Sequence, residues 1–266
     1  MDKYILGSAG EKLKKIYNFR RALWGMGLKQ FKAGYAGSFL GVFWVAVNPV
    51  LIMLAITFVF TAVFKAEIKD FGFFVLAGIL PWMFFSGTLC EASPSLLTQR
   101  GVLHQFGLPK EVLPLGVVLS HFMNFLVSWC IVCPIFIIRS PKTIPLFIYL
   151  PALFLLTLVF TSGMAVLFSV INILFRDLEQ LIGTVLMFWF WVTPVFYTIG
   201  MVPGKFRWVF DLNPFSSFVV CYQDIFFWAK APDPGMLCKA ALWSIFSLFC
   251  GMLVSVKCEN EVLKRI

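Results

Sequence analysis

The residues that could carry chemistry are few, and their spacing excludes most of it. The histidines are His104 and His121. Metal sites gather His, Cys and carboxylates at short spacing. The nearest approach is Cys130-x-x-Cys133, inside an apolar run and without a second pair. It reads as helix packing. The other cysteines are scattered, and seven is an odd number for a disulfide framework. Carboxylates pair at Asp177/Glu179 and Glu259/Glu261. They suit helix ends or a partner's surface better than acid–base work. Asp177 is expected to cap the helix that follows it. No G-x-x-x-x-G-K-[ST] occurs, so no phosphate-cradling ATPase loop is expected in this chain.

Two other residue classes are abundant. The first is aromatic: 32 Phe and 9 Trp. They cluster as Trp82, Phe84 and Phe85, and again as Phe188, Trp189, Phe190, Trp191, Phe196 and Tyr197. One reading is rings that pack on helices and lipid. The other is a conduit, in which Trp82, Phe84, Phe85, Phe188, Trp189, Trp191 and Tyr197 stack weakly on sliding sugar faces. The second class is basic. Arg20, Arg21, Lys29 and Lys32 stand before the first long apolar run. They suit bidentate or point-charge pairing with phosphates, or they set topology and bind anionic lipid.

Composition decides what positions these groups. Of 266 residues, 60% are hydrophobic and 13% charged, with a mean hydropathy of +0.89. Soluble domains carry about 25% charged residues, so the natural solvent here is lipid. The expected fold is an all-α integral membrane protein, one transmembrane domain over 1–266. It divides into a cytoplasmic amphipathic N-terminus (1–38), a six-helix membrane domain (39–256) and a cytoplasmic tail (257–266). The first 38 residues place Ile16, Phe19, Leu23 and Met26 at helical spacing among basic residues, which predicts a helix lying in the interface. About forty residues precede the first apolar run, so no cleavable signal is expected. Spans are predicted at about 40–64, 71–89, 112–138, 145–175, 181–197 and 237–256.

The connection 198–236 is broken by Pro203, Pro214, Pro232 and Pro234, yet is too aromatic for a solvated loop. Short re-entrant helices or an interfacial aromatic belt both fit. The net charge is +9. Both termini on one side put the larger share of Lys and Arg there, which predicts cytoplasmic termini and no nucleic-acid partner. No Asp, Glu, Lys or Arg sits at the centre of a span, and His121 is the one ionisable group well inside. That disfavours a proton- or sodium-driven carrier, and His121 reads as a packed, hydrogen-bonded residue.

Several segments in order resemble the polysaccharide-export permeases of the ABC-2 type. They are Gly37-Ser38-Phe39-Leu40-Gly41-Val42-Phe43-Trp44 with Asn48-Pro49, and the run from Leu76 through Pro81-Trp82 to Ser86. Further along come Leu108-Pro109-Lys110-Glu111-Val112-Leu113-Pro114-Leu115, Phe175-Arg176-Asp177-Leu178 and Leu212-Asn213-Pro214-Phe215. The resemblance implies a homodimer in the bacterial inner membrane, with two ABC ATPase subunits below that bind ATP and Mg. It implies a channel between the permeases and a substrate of the undecaprenyl-linked glycan type: O-antigen foremost, with teichoic acid, capsule, a lipid or a drug as alternatives.

It also implies coupling helices at 96–107 and 176–179, with Leu97, Arg100, His104, Arg176, Asp177 and Glu179 towards the ATPase. The first loop departs from the family, since His104 and Gln105 stand where lysines are usual. The rival classes are a membrane-embedded lipid-modifying enzyme and a passive channel.

Overall fold

The computed structural model describes residues 14, 16–63, 68–175 and 177–265. Every regular element among them is a helix. Helix α1 (Arg20–Ala33) is followed by a short 3-10 turn (Gly41–Phe43), then α2 (Trp44–Phe58) and a π-helical turn (Val59–Val63). Next come α3 (Phe71–Ala92), two short helices α4 (Ser95–Thr98) and α5 (Arg100–Phe106), and α6 (Val112–Arg139). A 3-10 stretch (Pro141–Tyr149) leads into α7 (Leu150–Leu174), and α8 (Leu178–Val192) follows. The chain ends with α9 (Arg207–Leu212), α10 (Ser216–Phe226), α11 (Pro234–Lys257) and α12 (Glu259–Arg265).

Five of these segments are long and apolar enough to cross a membrane: Gly41–Ala62, Phe71–Ala92, Val112–Arg139, Pro141–Leu174 and Pro234–Lys257. The fifth of the six expected spans is shorter than its apolar run. Helix α8 has 15 residues, about 22 Å at 1.5 Å per residue, against a hydrocarbon layer of about 30 Å. The reason is local. Pro194 forces its predecessor out of helical geometry, and Thr193 is extended at φ −90°, ψ 135°.

Helix α3 is the most enclosed of the five spans and α2 the least. Helices α7 and α11 make the closest pair. A Cβ added at Gly163 would overlap the Ser247 backbone, and one at Gly251 would overlap the Gly163 carbonyl. The hydroxyls of Ser244 and Ser247 donate across the contact to the carbonyls of Leu156 (2.8 Å) and Phe160 (2.7 Å). Lipid offers no hydrophobic drive between helices, so small residues and close backbones supply the attraction.

Helix α10 is buried at every position except the half-buried Val220. Its start meets the middles of two spans: Phe215 stacks on Phe85 at 4.5 Å and Phe218 packs on Phe160 at 5.2 Å. Its end meets the last turns of α6, where Phe226 stacks on Trp129 (4.0 Å) and packs on Phe136 (5.1 Å). At 11 residues it is about 16 Å long, too short to cross a hydrocarbon layer of about 30 Å. Arg139 closes that end. It bonds the Phe227 carbonyl (3.0 Å), pairs with Asp70 (3.3 Å) and lies over the Phe73 and Phe227 rings.

Candidate functional site

The aromatic residues expected along a conduit fall into two groups. Trp82, Phe84 and Phe85 are buried in the packing of α3. Their rings meet Phe190, Phe125 and Phe215. Phe188 and Trp191 are exposed on α8. Trp189 and Tyr197 are partly buried and tethered: Trp189 Nε1 donates to Asn213 Oδ1 (2.8 Å), and the Tyr197 hydroxyl donates to the Trp191 carbonyl (3.0 Å).

Phe188 belongs to a stripe with Leu181, Val185 and Val192, all exposed, while Ile182 and Leu186 face inward. A matching stripe on α2 carries Trp44, Leu51, Leu54 and Phe58, also exposed. A cavity of about 470 Å³ separates the two helices, backed by Trp82, Met83 and Ser86 of α3.

Asn213 is the hinge behind this face. Its Oδ1 accepts from Trp189 and from the Phe215 amide (3.0 Å). Its Nδ2 donates to Thr193 Oγ1 (3.0 Å) and the Val192 carbonyl (3.3 Å). One side chain thus ties the end of α8 to the start of α10. Gln223 adds bonds to the carbonyls of Pro194 (2.9 Å) and Val195 (3.2 Å), and Gly78 leaves the space it occupies.

On the other side of the molecule, α1 lies across α6, with Gly27 against Leu119. Arg20, Arg21, Lys29 and Lys32 are all exposed. They do not form one cluster. At about 100° per residue, Arg20 and Lys29 point in opposite directions, whereas Arg21 and Lys32 share a face. Arg20 bonds the Tyr17 carbonyl (3.2 Å) and lies over its ring. Lys29 borders a cavity of about 690 Å³ between α1 and the α4–α5 segment, with Phe19, Met26, Gln99 and Val102.

The α4–α5 segment is anchored by an apolar cluster of Leu96, Leu113, Val170, Ile173 and Val262, against which Leu97 packs. Lys110 and Glu111 are buried just beyond it: Lys110 Nζ donates to the Ser255 carbonyl (2.9 Å), and the Ser255 hydroxyl donates to Glu111. Arg100 is exposed at the start of α5. His104 lies on α5, its side chain outside the described residues, and Arg176 is outside them altogether. Asp177 and Glu179 are exposed. The expected cap fails: Asp177 makes no side-chain cap bond. Its φ −66°, ψ −14° is helical, and capping needs an extended residue to bring the carboxylate over the first amides. Glu179 in the first turn still complements the helix dipole.

Sequence reasoning missed the partner of His121. Its Nε2 lies 2.7 Å from Glu91 Oε2 on α3. The available signal was a carboxylate at the end of one span and a histidine within the next.

The sequence profile of ABC-2 type transporters matches residues 21–227. The chain belongs to the ABC-2 type transporter family. Among curated relatives, it is similar to the O-antigen export system permease protein RfbA of Myxococcus xanthus, 31% identical over 89% of this chain and 94% of that protein. Two proteins of the same name from Klebsiella pneumoniae are 29% and 27% identical, each over 84% of this chain and 83% of their own length. The ABC-2 profile ends at Phe227, so it takes in α1 to α10 and with them both exposed stripes and the Asn213 hinge. As an ABC-2 permease the chain is a multi-pass transport subunit.

Proposed function

We propose that this chain is the membrane subunit of an ATP-driven exporter that carries O-antigen on an undecaprenyl-type lipid across the bacterial inner membrane. The similarity to O-antigen export permeases along nearly the whole chain carries this reading. Two copies pair with the α2 and α8 stripes towards a shared path, where Phe188 and Trp191 offer exposed rings to passing sugars. Trp82, Phe84 and Phe85 stiffen that wall from behind.

Both termini are cytoplasmic. Two ABC ATPase subunits bind ATP and Mg and engage the α4–α5 segment and the turn before α8. Leu97, Arg100, His104, Arg176, Asp177 and Glu179 lie on those two segments. ATP binding biases a two-state path by moving them. Arg21 and Lys32, on one face of α1, meet the lipid phosphate.

Deleting the gene tests the reading. Surface O-antigen should disappear while lipid-linked polymer accumulates inside, and the wild-type chain should restore export only with an ATPase partner able to hydrolyse ATP. Unchanged surface polymer in the deletion strain overturns it.

A further inference from the structure

A second cavity, of about 390 Å³, lies between α2, α3 and α6 under the turn that follows α1. Its size falls within the range of small-molecule sites, roughly 300–1,000 Å³. Its polar lining includes Asn48, His121, Asn124 and Ser128. His121 is nine residues into α6 and Ser128 sixteen, so these groups stand roughly 14 to 24 Å from the start of the helix. Polar side chains within an apolar membrane helix are costly and mark functional positions.

The hydrogen-bonding capacity of these groups is only partly used. Asn124 Oδ1 accepts from the Tyr35 hydroxyl (2.6 Å), which leaves both Nδ2 protons. Burial pushes the Tyr35 phenol up, so it stays a donor at physiological pH. Asn48 makes no side-chain bond to any described residue. Ser128 spends its proton on the carbonyls of Val45 (3.1 Å) and Asn124 (3.0 Å) and keeps its lone pairs. His121 Nε2 lies 2.7 Å from Glu91 Oε2, which leaves Nδ1 as the ring's remaining polar atom. Donors and acceptors are therefore both on offer around one space.

The rest of the lining is aromatic: Tyr35, Trp44, Phe84 and Phe125. Phe84 and Phe125 stack on each other at 5.0 Å. Trp44 is exposed and stacks on no other ring among the described residues, so its face is available. No Lys or Arg lines the cavity. A phosphate there would meet no guanidinium or ammonium partner. The chemistry that fits is neutral, rich in hydroxyls that both donate and accept, and flat enough for a ring face.

We propose that this cavity is a subsite for a single pyranose ring, opening beside the α2 stripe at Trp44. It would receive one sugar of the glycan, so its role in export rests on the O-antigen reading, whereas binding of a sugar does not. Asn48 and Asn124 hold the hydroxyls and Trp44 covers one ring face.

The test uses the purified exporter in lipid nanodiscs and two photoreactive probes with the same diazirine-bearing octyl tail, one headed by β-glucose and one by tetraethylene glycol. The glucoside should label peptides around residues 34–49 and 121–128 roughly tenfold more than the polyether, the factor that one or two net hydrogen bonds supply. Asn48→Leu should bring the two probes to parity; its side chain is exposed and unbonded, so folding is spared. Tyr35→Phe, which frees Asn124 Oδ1, should alter the preference without abolishing it. Equal labelling by both probes in the wild-type protein overturns the subsite. In cells, full export by Asn48→Leu overturns its role in transport and leaves the O-antigen reading standing. Unchanged surface polymer in the deletion strain overturns that reading and leaves the labelling contrast untouched.

Discussion

Asn213 carries more structure than any other single side chain near the α8 face. It is buried and serves four partners at the end of α8 and the start of α10. Asn213→Leu should leave the Trp189 indole and the Phe215 amide without an acceptor, each loss worth about 1–3 kcal/mol. The midpoint of unfolding in an SDS titration of the purified protein should fall accordingly, and Asn213→Asp, which keeps the acceptor, should fall less. The sequence marked this asparagine within Leu212-Asn213-Pro214-Phe215, but only as part of a resemblance; the reason for it needed the position of Trp189, 24 residues earlier. His121 shows the same limit. Its place inside a span was legible and its pairing with Glu91 was not, because that contact depends on how α3 and α6 are offset along their length.

At the scale of elements, helix existence was legible and enclosure was not. Hydropathy finds 71–89 and 40–64 alike, since both are apolar all round. Yet α3 is surrounded by protein and α2 is open on most of its surface. That difference moved Trp82 and Phe85 from an expected conduit wall into the core, while Phe188 and Trp191 stayed outside. The short fifth helix was readable in principle from Pro194, but the aromatic run continuing through Tyr197 masked the stop. The α7–α11 contact yields a direct prediction. Gly251→Val places a side chain where the Gly163 carbonyl lies, so the variant should insert but fail to give a monodisperse peak on size exclusion. Ser247→Ala removes one interhelical bond and should cost about 0.6 kcal/mol.

For the whole molecule, the two exposed stripes on α2 and α8 make a statement about assembly. In a twofold dimer the same patch faces itself. With Cys90, Cys130 and Cys238 replaced, since they are exposed, Phe188→Cys should give a crosslinked dimer in native membranes with a bifunctional thiol reagent long enough to span a sugar-wide path. A cysteine at Leu242, on the exposed face of α11, should not. Crosslinking at position 242 and none at 188 would place the interface elsewhere and remove α8 from the path.

The enclosure of α10 has a consequence for biogenesis. Eleven residues buried everywhere but at Val220 present almost no surface to lipid with which to leave an insertion pore sideways. The segment must stay sheltered until α3, α6 and α7 are already in place. It becomes locked only when α11 emerges from the ribosome and closes against α7. A released chain truncated before residue 234 should therefore leave 216–226 open to protease in the membrane, and the full-length chain should protect it.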